Sequence, residues 1–224
     1  FFFSKPEESV IASTPSEWFN YLKDDNCKEL RLYFEHSKDQ SFAKGYKLAG
    51  MAGGGGSWLI EAVYKQYSNY WANRWEVTRS DDPEQKIWTA SYVMIAKKQI
   101  TSNLQIDESM TKVNLKKSLT DIAEFAFKHK LDTFGQQFDD AKALLDVDNP
   151  HENFYHKDLI PVGNYSLTAN QILFAAGSSW VFGGMGSWND LGFESQEDNE
   201  RYDRLSEQLY SNINEAIIAS INSF

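Results

Sequence analysis

The sequence predicts an α+β fold, with an antiparallel β-meander of about five strands followed by a helical C-terminal half that packs on the sheet. Two observations predict this class. Residues 29–97 hold short runs rich in β-branched and aromatic residues, separated by turn residues. From residue 118 onward, apolar residues instead recur at helical spacing. A chain of 224 residues often forms one α+β unit, so we predict a single domain, 1–224, and leave open a sub-boundary near residue 112.

The first element is predicted to be a short helix. Thr14 and Glu17 form a capping box, and Pro15 occupies the first helical position. We therefore expect a helix that runs to about Asp25. Its buried stripe consists of three residues: Trp18, Tyr21 and Leu22.

Five β-strands are predicted to follow this helix. Their residues are 29–36, 46–51, 57–65, 69–78 and 86–97. The clearest turns between them are 52–56, with four glycines, and 80–84, with Pro83. Because connections this short do not allow crossovers, the strands are expected to pair antiparallel.

The second half of the chain is predicted to be helical. Residues 118–146 fit two helices, or one helix that is broken near Gly135. Thr168 and Gln171 make a second capping box, which starts a helix that runs to about Trp180. The last helix is predicted at 198–222, where apolar residues mark one face: Tyr202, Leu205, Leu209, Ile213, Ala216 and Ile217.

The charge is negative and unevenly distributed. The net formal charge is −10, and residues 113–224 carry nine of these excess charges, with 17 acids against 8 bases. This balance argues against nucleic acid as a partner, since phosphates require a basic patch. It is compatible with a basic protein partner, and the alternative is ordinary solubilising charge.

The cysteine content and the hydropathy pattern indicate the compartment. Cys27 is the single cysteine, so neither an intramolecular disulfide nor a cysteine zinc site is expected, and a cytoplasmic location fits best. We find no apolar run of membrane-spanning length and no signal-peptide pattern, so no membrane association is predicted. A leader that is cleaved before Phe1 remains an alternative.

The sequence holds no motif of a known catalytic or cofactor site. The glycine run lacks the Lys and Ser or Thr of a phosphate-binding loop, and a strand rather than a helix is predicted to follow it. The four histidines do not stand at the spacing of a helical zinc motif, and no nucleophile elbow occurs. We predict no catalytic residue, no cofactor, no metal and no enzymatic activity.

Residues 180–193 form the least ordinary segment, because four glycines and four aromatic residues alternate there between two predicted helices. One interpretation is a structural loop that fills the core with Trp180 and Trp188. The other is a recognition loop, with Trp188 as an aromatic anchor in an acidic surface. The second interpretation predicts seven partner-binding residues: Trp188, Asn189, Asp190, Glu194, Glu197, Asp198 and Glu200.

The C-terminal part of the chain resembles a known group of proteins. Residues 167–173 read LTANQIL, residues 183–190 read GGMGSWND, and a helix rich in Tyr, Leu and Ile follows. Over residues 165–224 these features are similar to bacterial proteins found among the immunity proteins of polymorphic toxin systems. The resemblance implies a small cytoplasmic protein that neutralises a cognate toxin by binding it.

Our first hypothesis is therefore an immunity-type inhibitor that docks its acidic half on a basic toxin domain and occludes the toxin's active site. The alternative is a carbohydrate or small-molecule binding protein, or a hydrolase, that uses surface aromatics as stacking platforms. A third hypothesis is a scaffold whose exposed aromatics serve only homo-oligomerisation.

Overall fold

The structure is a computed structural model that describes residues 8–36, 45–51, 54–152, 154–156 and 163–223. It has four strands: β1 (Glu29–His36), β2 (Gly56–Val63), β3 (Ser68–Val77) and β4 (Trp88–Gln99). It has six α-helices: α1 (Pro15–Asp24), α2 (Gly45–Leu48), α3 (Glu108–Lys128), α4 (Asp132–Ala143), α5 (Leu167–Ser178) and α6 (Gln196–Ile221).

The predicted α+β class is confirmed. The strands form one antiparallel sheet in the order β1-β2-β3-β4, and the long helices lie in the C-terminal half of the sequence. Four of the five predicted strands are confirmed, with ends that differ by at most three residues. The turn predicted at 80–84 is also present, whereas residues 52–53 of the predicted glycine turn lie outside the described residues.

The strand predicted at 46–51 is wrong, because the chain forms the short helix α2 there. Tyr46 is fully buried, and its hydroxyl donates a hydrogen bond of 2.5 Å to the carboxylate of Asp203 in α6. Its ring packs against Phe182 and Tyr202. The tertiary contacts of the Tyr46 side chain therefore hold this segment as a helical turn. Such a short run has no periodicity that distinguishes a helix from a strand.

The chain is divided into two compact units. Unit 1 comprises the chain up to Arg31 together with Ile60–Asn103, and unit 2 comprises Leu32–Leu59 together with Leu104–Phe224. The chain passes between the units three times, so neither unit is one continuous stretch. The single domain remains a prediction.

Unit 1 has a small core under helix α1. Leu22, Tyr64 and Trp71 are buried there, and the ring of Trp18 meets that of Trp71 edge-on at 5.5 Å between centroids. The predicted cap is confirmed, since the Thr14 hydroxyl accepts a hydrogen bond from the Glu17 amide. The apolar stripe of α1 therefore covers the part of the sheet around Trp71.

Unit 1 also buries one carboxylate, that of Glu61. The Ser102 amide donates to Glu61 Oε1 at 2.8 Å, the Tyr70 hydroxyl donates to the same oxygen at 2.9 Å, and the Ser102 hydroxyl donates to Oε2. Burial by itself raises the pKa of this carboxyl, but these hydrogen bonds outweigh it and hold the pKa below its usual value. Glu61 is therefore charged in the folded protein at neutral pH.

The two helices predicted over 118–146 are present in unit 2 as α3 and α4, but their bounds differ from the prediction. Helix α3 begins ten residues earlier than predicted, because the Asp107 side chain caps it by accepting from the Met110 amide. The break between α3 and α4 lies at 129–131 rather than at Gly135. There Lys130 takes a positive φ of 59°, and the Leu131 amide donates to the carbonyl of Ala126.

The last two helices complete the main core. Helix α5 is capped by the Ser166 hydroxyl rather than by Thr168, and α6 begins at the Ser195 cap, two residues before the predicted start. The predicted apolar face of α6 is largely buried, and four of its residues have side chains under 2% exposed: Tyr202, Leu209, Ile213 and Ala216. Unit 2 therefore holds the main core cluster, to which all the helices from α2 to α6 contribute.

We predict that Glu61→Gln lowers the free energy of unfolding by about 2 kcal/mol, because the amide group leaves one or more buried donors unsatisfied. In the wild type, the contribution of Glu61 is fully present above the unfolded pKa of about 4.5 and is lost as the pH falls through the lowered folded pKa. Urea unfolding from pH 7 to pH 3 measures both effects.

The matched control for this prediction is Glu76→Gln. Glu76 lies on the exposed side of β3 with an ion pair to Arg74 at 3.5 Å, and exposed pairs contribute less than about 1 kcal/mol. Equal stabilities of Glu61→Gln and Glu76→Gln at pH 7 would contradict the role assigned to the buried carboxylate.

Candidate functional site

Trp188 is a core residue. It lies in a single 3-10 turn, Trp188–Asp190, and its side chain is fully buried. The rings of Phe134 and Phe138 meet it edge-on at centroid distances of 5.1 and 5.2 Å, and its indole N–H donates to the Ser206 hydroxyl at 2.7 Å. The prediction that Trp188 is a surface anchor is thereby corrected. Loop residues have no periodicity that indicates which ring faces inward.

The next two residues fix the loop rather than project from it. Asn189 Nδ2 donates to the carbonyl of Tyr46 at 3.0 Å, which ties the loop to helix α2. The carboxylate of Asp190 accepts from the Gly186 amide at 2.5 Å and closes the loop on itself. Gly50 and Gly183 allow the two backbones to touch, since a Cβ at Gly50 would lie 1.9 Å from the Gly183 carbonyl oxygen.

The tip of this loop is the part that faces solvent. Met185 is fully exposed, and a Cβ at either neighbouring glycine, Gly184 or Gly186, would meet no other atom within 4 Å. A methionine is flexible and polarizable, so it adapts to irregular apolar surfaces. The loop therefore presents one adaptable apolar side chain on a base that the core holds in place.

The predicted acidic residues after the loop differ in their surroundings. Asp198 is partly buried, and its carboxylate accepts from the Ser195 hydroxyl at 2.7 Å and lies 3.3 Å from Lys128 Nζ. The Ser195 hydrogen bond, opposed by burial and supported by Lys128 and His129, lowers the pKa of Asp198. The carboxylate of Asp198 therefore forms contacts within unit 2.

The other three acids, Glu194, Glu197 and Glu200, have exposed side chains. In the part of the chain that the structure describes, none of the three forms an ion pair. Glu197 stands in the first turn of α6, where the partial positive charge of the helix end favours an acid, but Glu194 and Glu200 lie outside that turn. Helix stabilisation therefore explains only part of this negative surface.

We define the residues 183–200 as the loop–helix surface. Its buried or partly buried members include Trp188, Asn189 and Asp198, and its exposed members include Met185, Glu194, Glu197 and Glu200. The sequence singled out this segment as unusual, but it pointed to Trp188 as the exposed ring and missed Met185. The flanking glycines were the available signal, because a side chain between two open glycines has little to pack against.

A second feature of unit 2 is an open cleft of about 970 Å³. One wall is polar, with Gln136, Gln137 and Asp140 from α4, and the other is aromatic, with Tyr155 and Trp180. Asp140 is the one carboxylate among the lining residues that the structure describes. No spacing in the sequence brings these segments together, so the cleft was not predicted.

The described residues offer little for metal or nucleophilic chemistry. No cluster of three or more His, Cys, Asp or Glu side chains that fits a metal ion is found within the described ranges. The Cys27 thiol donates to the carbonyls of Glu29 and Val63, and burial raises its pKa. The raised pKa keeps this thiol protonated and weakly nucleophilic at neutral pH.

No described helix is both long enough and apolar enough to cross a membrane. Comparison with protein families, with curated proteins and with solved structures finds no match to this chain.

We predict that Trp188→Ala lowers the free energy of unfolding by about 3–5 kcal/mol, because it opens a large cavity in the core and leaves the Ser206 hydroxyl without its partner. Met185→Ala is the matched change at the exposed tip and is expected to alter stability by no more than about 0.5 kcal/mol. Urea unfolding measures both values. A Trp188→Ala variant as stable as the wild type would contradict the core position of this ring.

Proposed function

We propose that this protein binds another protein through the loop–helix surface. The observation that carries the proposal is the exposed Met185 at the tip of a loop whose base is fixed by Trp188 and Asn189. A surface that is ordered before binding loses little conformational entropy when a partner docks, which favours affinity. The apolar tip supplies a central contact, and the exposed acids supply a polar surrounding.

The charge of the chain supports a basic partner. Residues 104–224 hold nineteen acids and nine bases, so this stretch accounts for the whole net charge of −10. Such a field attracts a positively charged protein and increases the rate of encounter. The exposed side chains of Glu194, Glu197 and Glu200 can meet lysine and arginine side chains of the partner, although Glu200 Oε1 also accepts a hydrogen bond from Gln196 Nε2 at 2.8 Å.

Within this class, we propose an immunity-type function. The protein would bind a cognate bacterial toxin with a basic active-site region, in the cytoplasm of the cell that makes it, and would block access of the toxin's substrate. The likeness of residues 165–224 to immunity proteins supports this choice. Binding alone then suffices for function, and no catalytic group is needed.

We expect the adjacent upstream gene to encode the cognate toxin. We predict that the triple variant Glu194→Lys, Glu197→Lys, Glu200→Lys associates with the product of that gene about tenfold more slowly than the wild type at low ionic strength. The loss of electrostatic steering is the reason. The difference is expected to vanish near 1 M salt, where the screening length falls to about 3 Å. Surface plasmon resonance measures the rates, and co-expression of the two proteins tests protection from toxicity.

The matched control carries the same change of charge at three exposed acids elsewhere in unit 2: Glu124→Lys, Asp148→Lys and Glu152→Lys. It is expected to keep most of the association rate. Equal loss in both triple variants would attribute the effect to net charge alone and would contradict docking at the loop–helix surface.

The cleft in unit 2 supports a second candidate function, the binding of a carbohydrate or another small polar molecule. Aromatic rings beside amide and carboxylate groups are the usual lining of such sites. A glycoside hydrolase of the common kind needs a pair of carboxyl groups across the scissile bond, and Asp140 is the one found among the described lining residues. The cleft therefore favours binding over hydrolysis.

For this second candidate, we predict that a neutral hexasaccharide such as cellohexaose gives a saturable heat of binding in isothermal titration calorimetry. Trp180→Ala is expected to abolish the heat, because it removes the ring at the cleft wall. Trp88→Ala, which removes an exposed indole on β4, is the matched control and is expected to keep it. Absence of heat with the wild type would contradict this candidate for that sugar class.

A further inference from the structure

The hairpin of β3 and β4 has an apolar face that extends beyond the core of unit 1. Directly opposite residues share a face of a sheet, and the register places Trp71 opposite Met94, Trp75 opposite Ala90 and Val77 opposite Trp88. Trp71 is buried under α1. Towards the turn, the same face exposes four large side chains to 51–60%: Trp75, Val77, Trp88 and Tyr92.

Towards the turn, the opposite face of this hairpin is polar. It carries the ion pairs of Arg74 with Glu8 and Glu76, and a hydrogen bond between the hydroxyls of Thr78 and Thr89. Apolar and polar side chains therefore alternate along the hairpin, as in a sheet with one buried face. Near the turn, however, the apolar face is exposed to solvent. Exposed apolar patches of this kind mark interaction surfaces.

The two edges of the sheet differ in how they are protected. At β1, the Asn222 side chain accepts from the Leu32 amide and donates to its carbonyl, both at 2.8 Å, so it occupies the groups that another strand would use. Charged residues Glu29, Arg31 and Glu35 also lie along β1. Edge strands with such features resist pairing with another chain.

Strand β4 lacks these features. Residues 88–96 contain no charged residue and no proline, and no described strand pairs with the outer side of β4. A long uncharged edge next to an exposed aromatic face is the arrangement that accepts another strand.

The charges at the two ends of β4 indicate which strand it accepts. Residues 79–86, before β4, hold three acids and two bases, while Lys97 and Lys98 stand at its end. When two copies of β4 run antiparallel, the lysines of each copy come near the acidic turn of the other. The stretch 60–103 has six bases and five acids, so two copies meet there without strong repulsion.

We propose that β4 pairs antiparallel with β4 of a second copy of this chain, about a two-fold axis at Ser91, so that the exposed apolar faces of the two hairpins join. In this register Trp88 of one copy lies opposite Met94 of the other, and Tyr92 lies opposite Ala90. The lysines at the end of each β4 then lie towards the acidic turn that precedes the other β4. The pairing is isologous, so it closes as a dimer and does not propagate into fibres. This inference is independent of the function proposed for the loop–helix surface.

Sedimentation velocity over a range of concentrations tests the pairing. We expect the wild type to reach twice the chain mass of 25.7 kDa. Tyr92→Lys brings two like charges together across the axis and is expected to raise the dimer dissociation constant at least tenfold. Tyr155→Lys makes the same change at an exposed tyrosine in unit 2 and is expected to leave the constant unchanged.

A cross-linking experiment tests the register without relying on a destabilising change. In a Cys27→Ser background, Ser91→Cys is expected to give a covalent dimer with a short bismaleimide, because the two cysteines face each other across the axis. Thr89→Cys is the control, since its two copies are then four residues apart along the strands, about 13 Å. Equal cross-linking of the two variants overturns the register.

Two further outcomes overturn the proposal. If the wild type stays monomeric at every concentration, β4 does not pair with a second copy. The β4 edge would then be open to a strand of another protein. A dimer that Tyr92→Lys does not weaken has its interface elsewhere on the chain.

Discussion

The burial of Trp188 is the constraint on which the loop–helix surface depends. Its indole contacts Phe134 and Phe138 of α4, while its N–H bonds to Ser206 and its carbonyl accepts from the Tyr202 hydroxyl, both in α6. One side chain therefore joins a loop to two helices. Because the ring is large and its polar group is satisfied, the core holds the loop in a single place.

Because the lower part of the loop is fixed to the core, only its exposed side chains can contact a partner. Asn189 and Asp190 use their polar groups to tie the loop to α2 and to close it, so their side chains serve the loop's own structure. Met185 and the exposed glutamates after the loop make few internal contacts, and they are the side chains that a second protein can reach. The segment therefore combines a structural part and an exposed part, which the sequence shows only as one unusual stretch of glycines and aromatics.

The elements with long periodic patterns were predictable from the sequence, and those that depend on single contacts were not. Strand β1 and helix α6 were predicted within two residues, because each has alternating or helical apolar positions and a clear start. Helix α2 was missed because its fold follows from the hydrogen bond between Tyr46 and Asp203. Surface aromatic residues were expected, but their concentration on the β3–β4 hairpin was not, since alternation shows that a strand has two faces but not which part stays uncovered.

Hydrogen exchange measured by mass spectrometry, with and without the product of the upstream gene, tests the central claim most directly. The account predicts that the exposed amides within residues 183–200 gain protection in the complex, while the amides next to the buried Trp188 are already protected in the free protein. Unchanged exchange at 183–200, with protection of another surface, would show that the partner binds elsewhere and would contradict the account.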